Sequence, residues 1–151
     1  MPVVVVEVPS LGNRCHLVHD GSVVVVVDPP RDLAPVERAA QAAGVDLAGV
    51  ADTHVHNDYV SGALGLARRH GIDYLLSADE PVRFERVGVR HGDVVGFGSL
   101  EVEVLATPGH TRHHQSFLVR VPGEPAVLLS GGSLLHGTVG RTDLVLSLIH
   151  I

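Results

Sequence analysis

The chain has 151 residues, the length of one domain, and a net charge of −6 in which all 11 basic residues are Arg. An acidic chain without a basic stripe is not typical of proteins that bind nucleic acid or anionic membranes. Its apolar fraction of 45% is too high for a disordered chain, and its single cysteine excludes an internal disulfide framework or a Cys-rich zinc module.

The chain begins with Val-rich sequence that predicts a strand rather than a targeting segment. Met1–Glu7 has no positive flank, and its apolar run is too short for a signal peptide. No later run approaches the length of a membrane span, so the sequence predicts a cytoplasmic protein. Val occupies 28 positions and aromatic residues only 3%, which predicts an aliphatic, β-rich core.

Apolar periodicity predicts a mixed α/β (α+β) chain. The predicted strands are Val3–Val8, Cys15–His19, Val23–Val27, Leu47–Ala51, Tyr74–Leu76, Val94–Phe97, Leu100–Leu105, Phe117–Val121 and Ala126–Leu129. Hairpin turns are predicted at Asp20-Gly21, Gly98-Ser99 and Pro122-Gly123. One predicted helix covers Leu33–Ala43, with Asp32 as its cap and Gly44 as its end. A second has one face formed by Val60, Ala63, Leu64 and Ala67 and ends at Gly71. This mixture predicts sheet with helices on an outer face.

Histidine is over-represented, at 11 residues, and three of these residues follow predicted strands. The segment Thr53–Tyr59 joins a buried strand to a helix, and its His54 and His56 alternate onto one side of an extended backbone. His110 follows another strand and a Pro-Gly turn. Three neutral imidazoles suit Zn²⁺, Fe²⁺ or Cu²⁺, and Asp58 adds an oxygen that could ligate the metal or orient a bound water. The sequence therefore predicts a metal site at these four residues, with Asp58 as the catalytic candidate.

The remaining histidines and the cysteine receive structural interpretations. Cys15 is predicted to pack in the core rather than to react. Structural or exposed positions are predicted for His16, His19, His70, His91 and His136, and loop-surface positions for His113 and His114.

Four motifs resemble, in order and spacing, those of the metallo-β-lactamase superfamily. Thr53–Tyr59 resembles its Thr-His-x-His-x-Asp-His signature, and Val26–Pro29 and Thr107–Thr111 resemble its strand-end Asp-Pro and third-His motifs. Gly140–Asp143 resembles the Gly-Arg-Thr-Asp of the persulfide dioxygenase and glyoxalase II-like branch. The resemblance implies a four-layer αββα sandwich with metal at the lip between the sheets, of which residues 1–145 form the N-terminal portion.

The sequence departs from this pattern at two positions. Tyr59 stands where the second-site His is expected, and Gly132 stands where the bridging or iron-binding Asp is expected. Because both changes remove second-site ligands, the resemblance implies one metal ion at His54, His56 and His110 with Asp58 nearby. Fe(II) is the favoured ion and Zn(II) the alternative.

The resemblance implies an enzyme that oxidises glutathione persulfide or another low-molecular-weight persulfide. The alternatives are a zinc-dependent thioester hydrolase of the glyoxalase II type and a non-catalytic metal- or thiol-binding module. The expected partners are the small thiol derivative itself, a fused or separate rhodanese domain, and a second copy in a homo-oligomer. Neither nucleic acid nor a membrane is expected as a partner.

The last six residues differ in composition from the rest of the chain. Ile occurs once in the first 148 residues and then at Ile149 and Ile151. Residues 146–151 also back-translate to a sequencing-adapter sequence, so we interpret them as a non-native tail. Genomic sequence encoding the same six residues before a stop codon would refute this interpretation.

Overall fold

The computed structural model describes residues 3–9, 12–56, 59–135 and 137–140. Its first sheet consists of β1 (Val3–Val8), β2 (Asn13–His19), β3 (Val23–Val27), β4 (Asp46–Ala51), β5 (Asp73–Ser77) and β6 (Val87–Val89). Its second sheet consists of β7 (Val94–Phe97), β8 (Leu100–Ala106), β9 (Gln115–Arg120) and β10 (Val127–Leu129). A short hairpin pairs β11 (Leu134–Leu135) with β12 (Thr138–Val139), and the helices are α1 (Ala34–Ala43) and α2 (Ala63–His70).

The first sheet changes from antiparallel to parallel pairing at β3. The strands β1, β2 and β3 form an antiparallel meander, whereas β3, β4, β5 and β6 are parallel neighbours in chain order. The predicted hairpin at Asp20-Gly21 is confirmed, since Oδ1 of Asp20 accepts the N–H groups of Ser22 and Val23 at 2.8 and 2.9 Å. The parallel strands leave their carboxyl ends at one edge of the sheet, where the connecting loops meet.

The helices that connect the parallel strands begin later than predicted. α1 begins at Ala34 with buried Leu33 in the capping position, and the side chain of Asp32 only accepts the Ala34 N–H at 3.1 Å. α2 begins at Ala63, because Ser61 forms a β-bridge with Pro30 just before it, and this leaves Val60 exposed outside the helix. The predicted glycine ends are confirmed: Gly44 and Gly71 are left-handed, with φ of 69° and 65°.

Alternation along the strands of the first sheet creates two cores. Cys15 and Leu17 of β2 face the helices, whereas Val18 faces the second sheet. The core between the sheets is filled by Phe97, Phe117 and valines and leucines of both sheets. The described residues thus form a helical layer, a mixed sheet and an antiparallel sheet, which confirms the predicted α/β class.

Several sequence predictions fall outside the described residues. These concern Asp58, His136, residues 141–143 of the Gly-Arg-Thr-Asp motif and the tail at 146–151. Three described strands, β6, β11 and β12, were not predicted from the sequence pattern. Neither described helix combines the length and apolar character needed to cross a membrane.

Candidate metal centre

A cavity of about 600 Å³ lies at the carboxyl ends of β3 and β4, between the two sheets. Its lining includes Asp28 at the end of β3, His54, His56 and Tyr59 after β4, and His110 after β8. Ligands commonly bind at this edge of a parallel sheet because several loops meet there.

The structure brings the rings of the three predicted histidine ligands together. The ring centroid of His54 is 4.0 Å from that of His56 and 4.8 Å from that of His110. These residues come from loops more than 50 positions apart, so tertiary packing rather than local sequence joins them. Asp58, the fourth predicted residue, lies outside the described residues.

Asp28 anchors the loop that carries the histidines. Its backbone is left-handed, with φ of 54°, and its carboxylate is buried. The carboxylate accepts the Thr53 backbone N–H at 2.7 Å and the Thr53 hydroxyl at 2.9 Å. Because the Thr53 hydroxyl donates its one proton to Asp28, it can only accept a hydrogen bond from His54, whose Nδ1–H lies 2.9 Å away. This relay selects the His54 tautomer whose Nε2 carries a lone pair, the form needed for metal binding.

The second histidine of the motif is oriented by a phenol and a carboxylate. Nε2 of His56 lies 2.8 Å from the Tyr59 hydroxyl and 3.4 Å from Oδ1 of Asp28. The candidate ligand atoms of Asp28, Asp52 and His56 all lie within 4.8 Å of one another. Nε2 of His56 is therefore directed at the oxygens of Tyr59 and Asp28.

A second buried carboxylate, Asp52, lies behind this cluster. It accepts the Tyr74 hydroxyl at 2.6 Å and the Ser61 hydroxyl at 2.8 Å. Burial and then the charge of Asp28 raise the pKa of Asp52 despite these donors. Burial also raises the pKa of Asp28, but other contacts outweigh it. His56, through its hydrogen bond and charge, and the backbone N–H of Thr53 hold the pKa of Asp28 below its ordinary value. The cluster thus favours one charged and one protonated carboxylate.

Among the three predicted ligands, His54 is favoured in its neutral form. Burial, followed by the charge of His56, lowers the pKa of His54 to about 3. A neutral imidazole is the form that ligates metal, so His54 does not have to lose a proton near neutral pH.

His114 is buried beside this cluster, and the prediction that it lies on the loop surface is wrong. Its ring stacks on that of His54 with centroids 4.9 Å apart. Nε2 accepts the Gly132 N–H at 3.1 Å, while Nδ1 lies 2.9 Å from the hydroxyls of Thr107 and Ser133. His114 therefore ties the loop after β10 to the loop after β8. The alternation of β9 could not have revealed this position, because Phe117 and Val119 face the core between the sheets and His114 is out of phase with them.

Two cavity residues on β2 were not predicted as functional. Arg14 and His16 both line the cavity, although His16 was interpreted as structural or exposed. The alternation of β2 could have revealed them. Since Cys15 and Leu17 face the helices, residues 14 and 16 face the second sheet.

Gly132 leaves no room for a side chain in this arrangement. A Cβ atom at this position would overlap the His110 ring, lying 2.7 Å from Nε2 and 2.9 Å from Cγ. The position at which the resemblance implies an Asp is therefore occupied here by backbone packed against an imidazole.

Two face-to-face sheets, helices on one outer face and a histidine-lined cavity at the strand ends define an α/β sandwich with a candidate metal centre. Solved structures share this architecture. A metallo-β-lactamase from Staphylococcus aureus subsp. aureus COL superposes with a TM-score of 0.85 at 27% identity, covering 95% of this chain and 46% of that one. ETHE1 from Myxococcus xanthus gives a TM-score of 0.81 at 31% identity, covering 96% of this chain and 63% of that one.

Curated sequences lead to the same superfamily. The hydroxyacylglutathione hydrolase of Acidiphilium cryptum is 33% identical over 89% of this chain and 58% of its own length, and that of a Synechococcus strain is 31% identical over 91% and 55%. The chain spans about half the length of the curated relatives it matches. No family model matches it. The chain belongs to the metallo-β-lactamase superfamily.

Proposed function

We propose that this chain carries the metal centre of an enzyme that oxidises glutathione persulfide or a related low-molecular-weight persulfide. The proposal also assigns the metal to His54, His56 and His110, with Asp58 positioning a water or proton beside it. The observation that carries the proposal is the cluster of three imidazoles at the strand ends, in which the rings of His56 and His110 lie 4.0 and 4.8 Å from that of the buried His54.

The donor set fits a single transition-metal ion. The ring centroids of His56 and His110 lie 4.0 and 4.8 Å from that of His54, so three imidazoles, which suit a transition-metal ion, are close together. In this assignment His54 offers Nε2, because Thr53 engages Nδ1.

Two features favour one ion over two. The Tyr59 hydroxyl occupies the neighbourhood of His56 where the resemblance implies a second-site imidazole. On the opposite side, Gly132 supplies no carboxylate, and its backbone lies against His110. A mononuclear centre fits persulfide oxidation, for which the resemblance implies a single iron. Because Gly132 stands at the position of the iron-binding Asp, the proposal assigns that iron to the three imidazoles instead.

The protein's own groups would bind, orient and shield the reactants. Asp28 and Thr53 hold the His54 tautomer, and the buried Asp52 keeps a proton that limits the negative charge near Asp28. The cavity also contains room for a small thiol derivative. When bound, Fe(II) would supply redox chemistry with dioxygen, whereas Zn(II) would supply Lewis-acid chemistry.

A second candidate function is hydrolysis of a glutathione thioester with zinc. It is favoured by the curated relatives, which are named hydroxyacylglutathione hydrolases. The same imidazoles would hold the ion, and the same cavity would hold the thioester.

The test measures metal content and reaction on one preparation. The chain is purified without oxygen, reconstituted with Fe(II) or Zn(II), and its metal content is determined by mass spectrometry. Oxygen uptake with glutathione persulfide and cleavage of a hydroxyacylglutathione are then measured. We expect one metal per chain and oxygen uptake by the iron form.

Matched histidine variants separate the centre from adventitious metal. His54→Ala should remove both metal and activity, whereas His70→Ala should keep both, because His70 lies on α2 and contacts Glu37 outside the cavity. Thioester cleavage by the zinc form without oxygen uptake would replace the first function by the second. Equal metal content in wild type and His54→Ala would refute both.

A further inference from the structure

Two side chains of β2 form one wall of the cavity that contains the histidine cluster. Arg14 and His16 alternate onto the face of the first sheet that is directed at the second sheet, and both line the cavity. We propose that Arg14 and His16 recognise a carboxylate of the thiol substrate and so select peptide thiols over neutral thiols. This inference rests on the proposed function, because it assumes a thiol substrate in this cavity. It applies equally to persulfide oxidation and to thioester hydrolysis.

Arg14 is the guanidinium among the described residues that line this cavity. Its Nε donates to Oε1 of Glu7 at 3.3 Å, and both side chains are 63% exposed. Such an exposed pair is weak and easily exchanged for another carboxylate. Because the pair uses Nε, the two terminal nitrogens can contact an incoming carboxylate, for which a guanidinium is well shaped.

His16 lies two residues further along the same face. Its half-buried ring adds a short, rigid donor to the same cavity lining as Arg14 and the histidine cluster. A ring N–H there can donate to a carboxylate that Arg14 neutralises. The chain has a net charge of −6, so the positive charge of Arg14 in this cavity does not follow from a general excess of basic residues.

Another part of the cavity lining is apolar. It is formed by the leucines Leu128, Leu134 and Leu135, which are 49%, 57% and 46% exposed although large and hydrophobic. A ligand that fills the cavity would therefore place a carboxylate against β2 and aliphatic groups against β10 and β11. A peptide thiol such as glutathione has both kinds of group, and the volume of about 600 Å³ is typical of small-molecule sites.

The test compares two ligands that differ only in their carboxylates. Binding of glutathione and of its diethyl ester is measured by isothermal titration calorimetry on wild type and variants. Arg14→Gln should weaken glutathione binding about tenfold, the usual order for a lost charged hydrogen bond, and leave the diester unchanged. Glu7→Gln should strengthen glutathione binding, because it removes the carboxylate that competes for Arg14.

Arg120→Gln is the matched control. Arg120 of β9 also pairs with a partly exposed Glu, Glu103 at 2.7 Å, but it is not among the cavity residues. Its substitution should leave both affinities unchanged. Equal affinity of wild type for glutathione and the diester, or the same loss in both arginine variants, would overturn the inference.

Binding and turnover separate the two proposals. Carboxylate-dependent binding without oxygen uptake or thioester cleavage would leave the inference intact and refute the proposed function. Equal turnover of carboxylate-bearing and esterified substrates would refute the inference and support the proposed function.

Discussion

The contact between Gly132 and the His110 imidazole can be tested with a single methyl group. In Gly132→Ala the added Cβ would lie 2.7 Å from Nε2 and 2.9 Å from Cγ of His110. Since favourable heavy-atom contacts begin near 3.5 Å, the ring must withdraw by about 1 Å. We expect metal affinity to fall about 10- to 100-fold, as when groups that orient a ligand are lost, which corresponds to about 1.4–2.7 kcal/mol.

The assay separates a displaced ligand from a damaged fold. Metal affinity is measured by competition with a chromophoric chelator, thermal unfolding reports stability, and the imidazole resonances report the environment of His110. Gly96→Ala is the control, because Gly96 lies on β7 without a positive φ, and nothing lies within 4 Å of the position that the added methyl would take. Its metal affinity should equal that of wild type.

The reasoning is refuted if Gly132→Ala binds metal as wild type does and leaves the His110 resonances unshifted. The same geometry makes a prediction for Gly132→Asp, which reintroduces the carboxylate implied by the resemblance. Because the Asp also carries a Cβ, it should displace His110, and metal content should stay at or below one ion per chain rather than rise to two.

Three further substitutions test the core and the buried polar network. Phe117→Ala removes a fully buried ring from the core between the sheets and should lower the free energy of unfolding by about 3–5 kcal/mol in denaturant titrations. Thr53→Val keeps the shape but removes the hydroxyl between Asp28 and His54, so metal affinity should fall about 10- to 100-fold while secondary structure by circular dichroism is retained. Asp52→Asn tests the carboxyl whose pKa burial raises to about 7. In the folded wild type, Asp52 keeps its proton up to about pH 7, whereas in the unfolded chain it loses the proton at about pH 4. The protonated Asp52 therefore contributes its full stabilisation below pH 4, and this stabilisation is lost as the pH rises through 7. The stability of wild type relative to Asp52→Asn should therefore decrease from pH 4 to pH 8, and a constant difference would contradict the raised pKa.

Local patterns predicted most of the secondary structure because each signal acts over a few residues. The Asp20-Gly21 turn and the left-handed glycines Gly44 and Gly71 end their elements by local backbone preference. Strand β6 escaped prediction because its three residues, Val87–Val89, become a strand only by pairing with β5. The starts of both helices were misplaced for a related reason, since the buried Leu33 and the bridge between Ser61 and Pro30 are tertiary contacts.

By itself the sequence determined the residue types of the candidate centre and the strand ends that carry them, as His54, His56 and His110 illustrate. Only the tertiary structure decided the surroundings of these rings. Asp28 orients His54 through Thr53 across 25 positions, and Arg14 faces the cavity because β2 alternates between two cores. The physical reason is range: turn and strand preferences act between neighbours, whereas burial and hydrogen bonding join residues only after the sheets pack together.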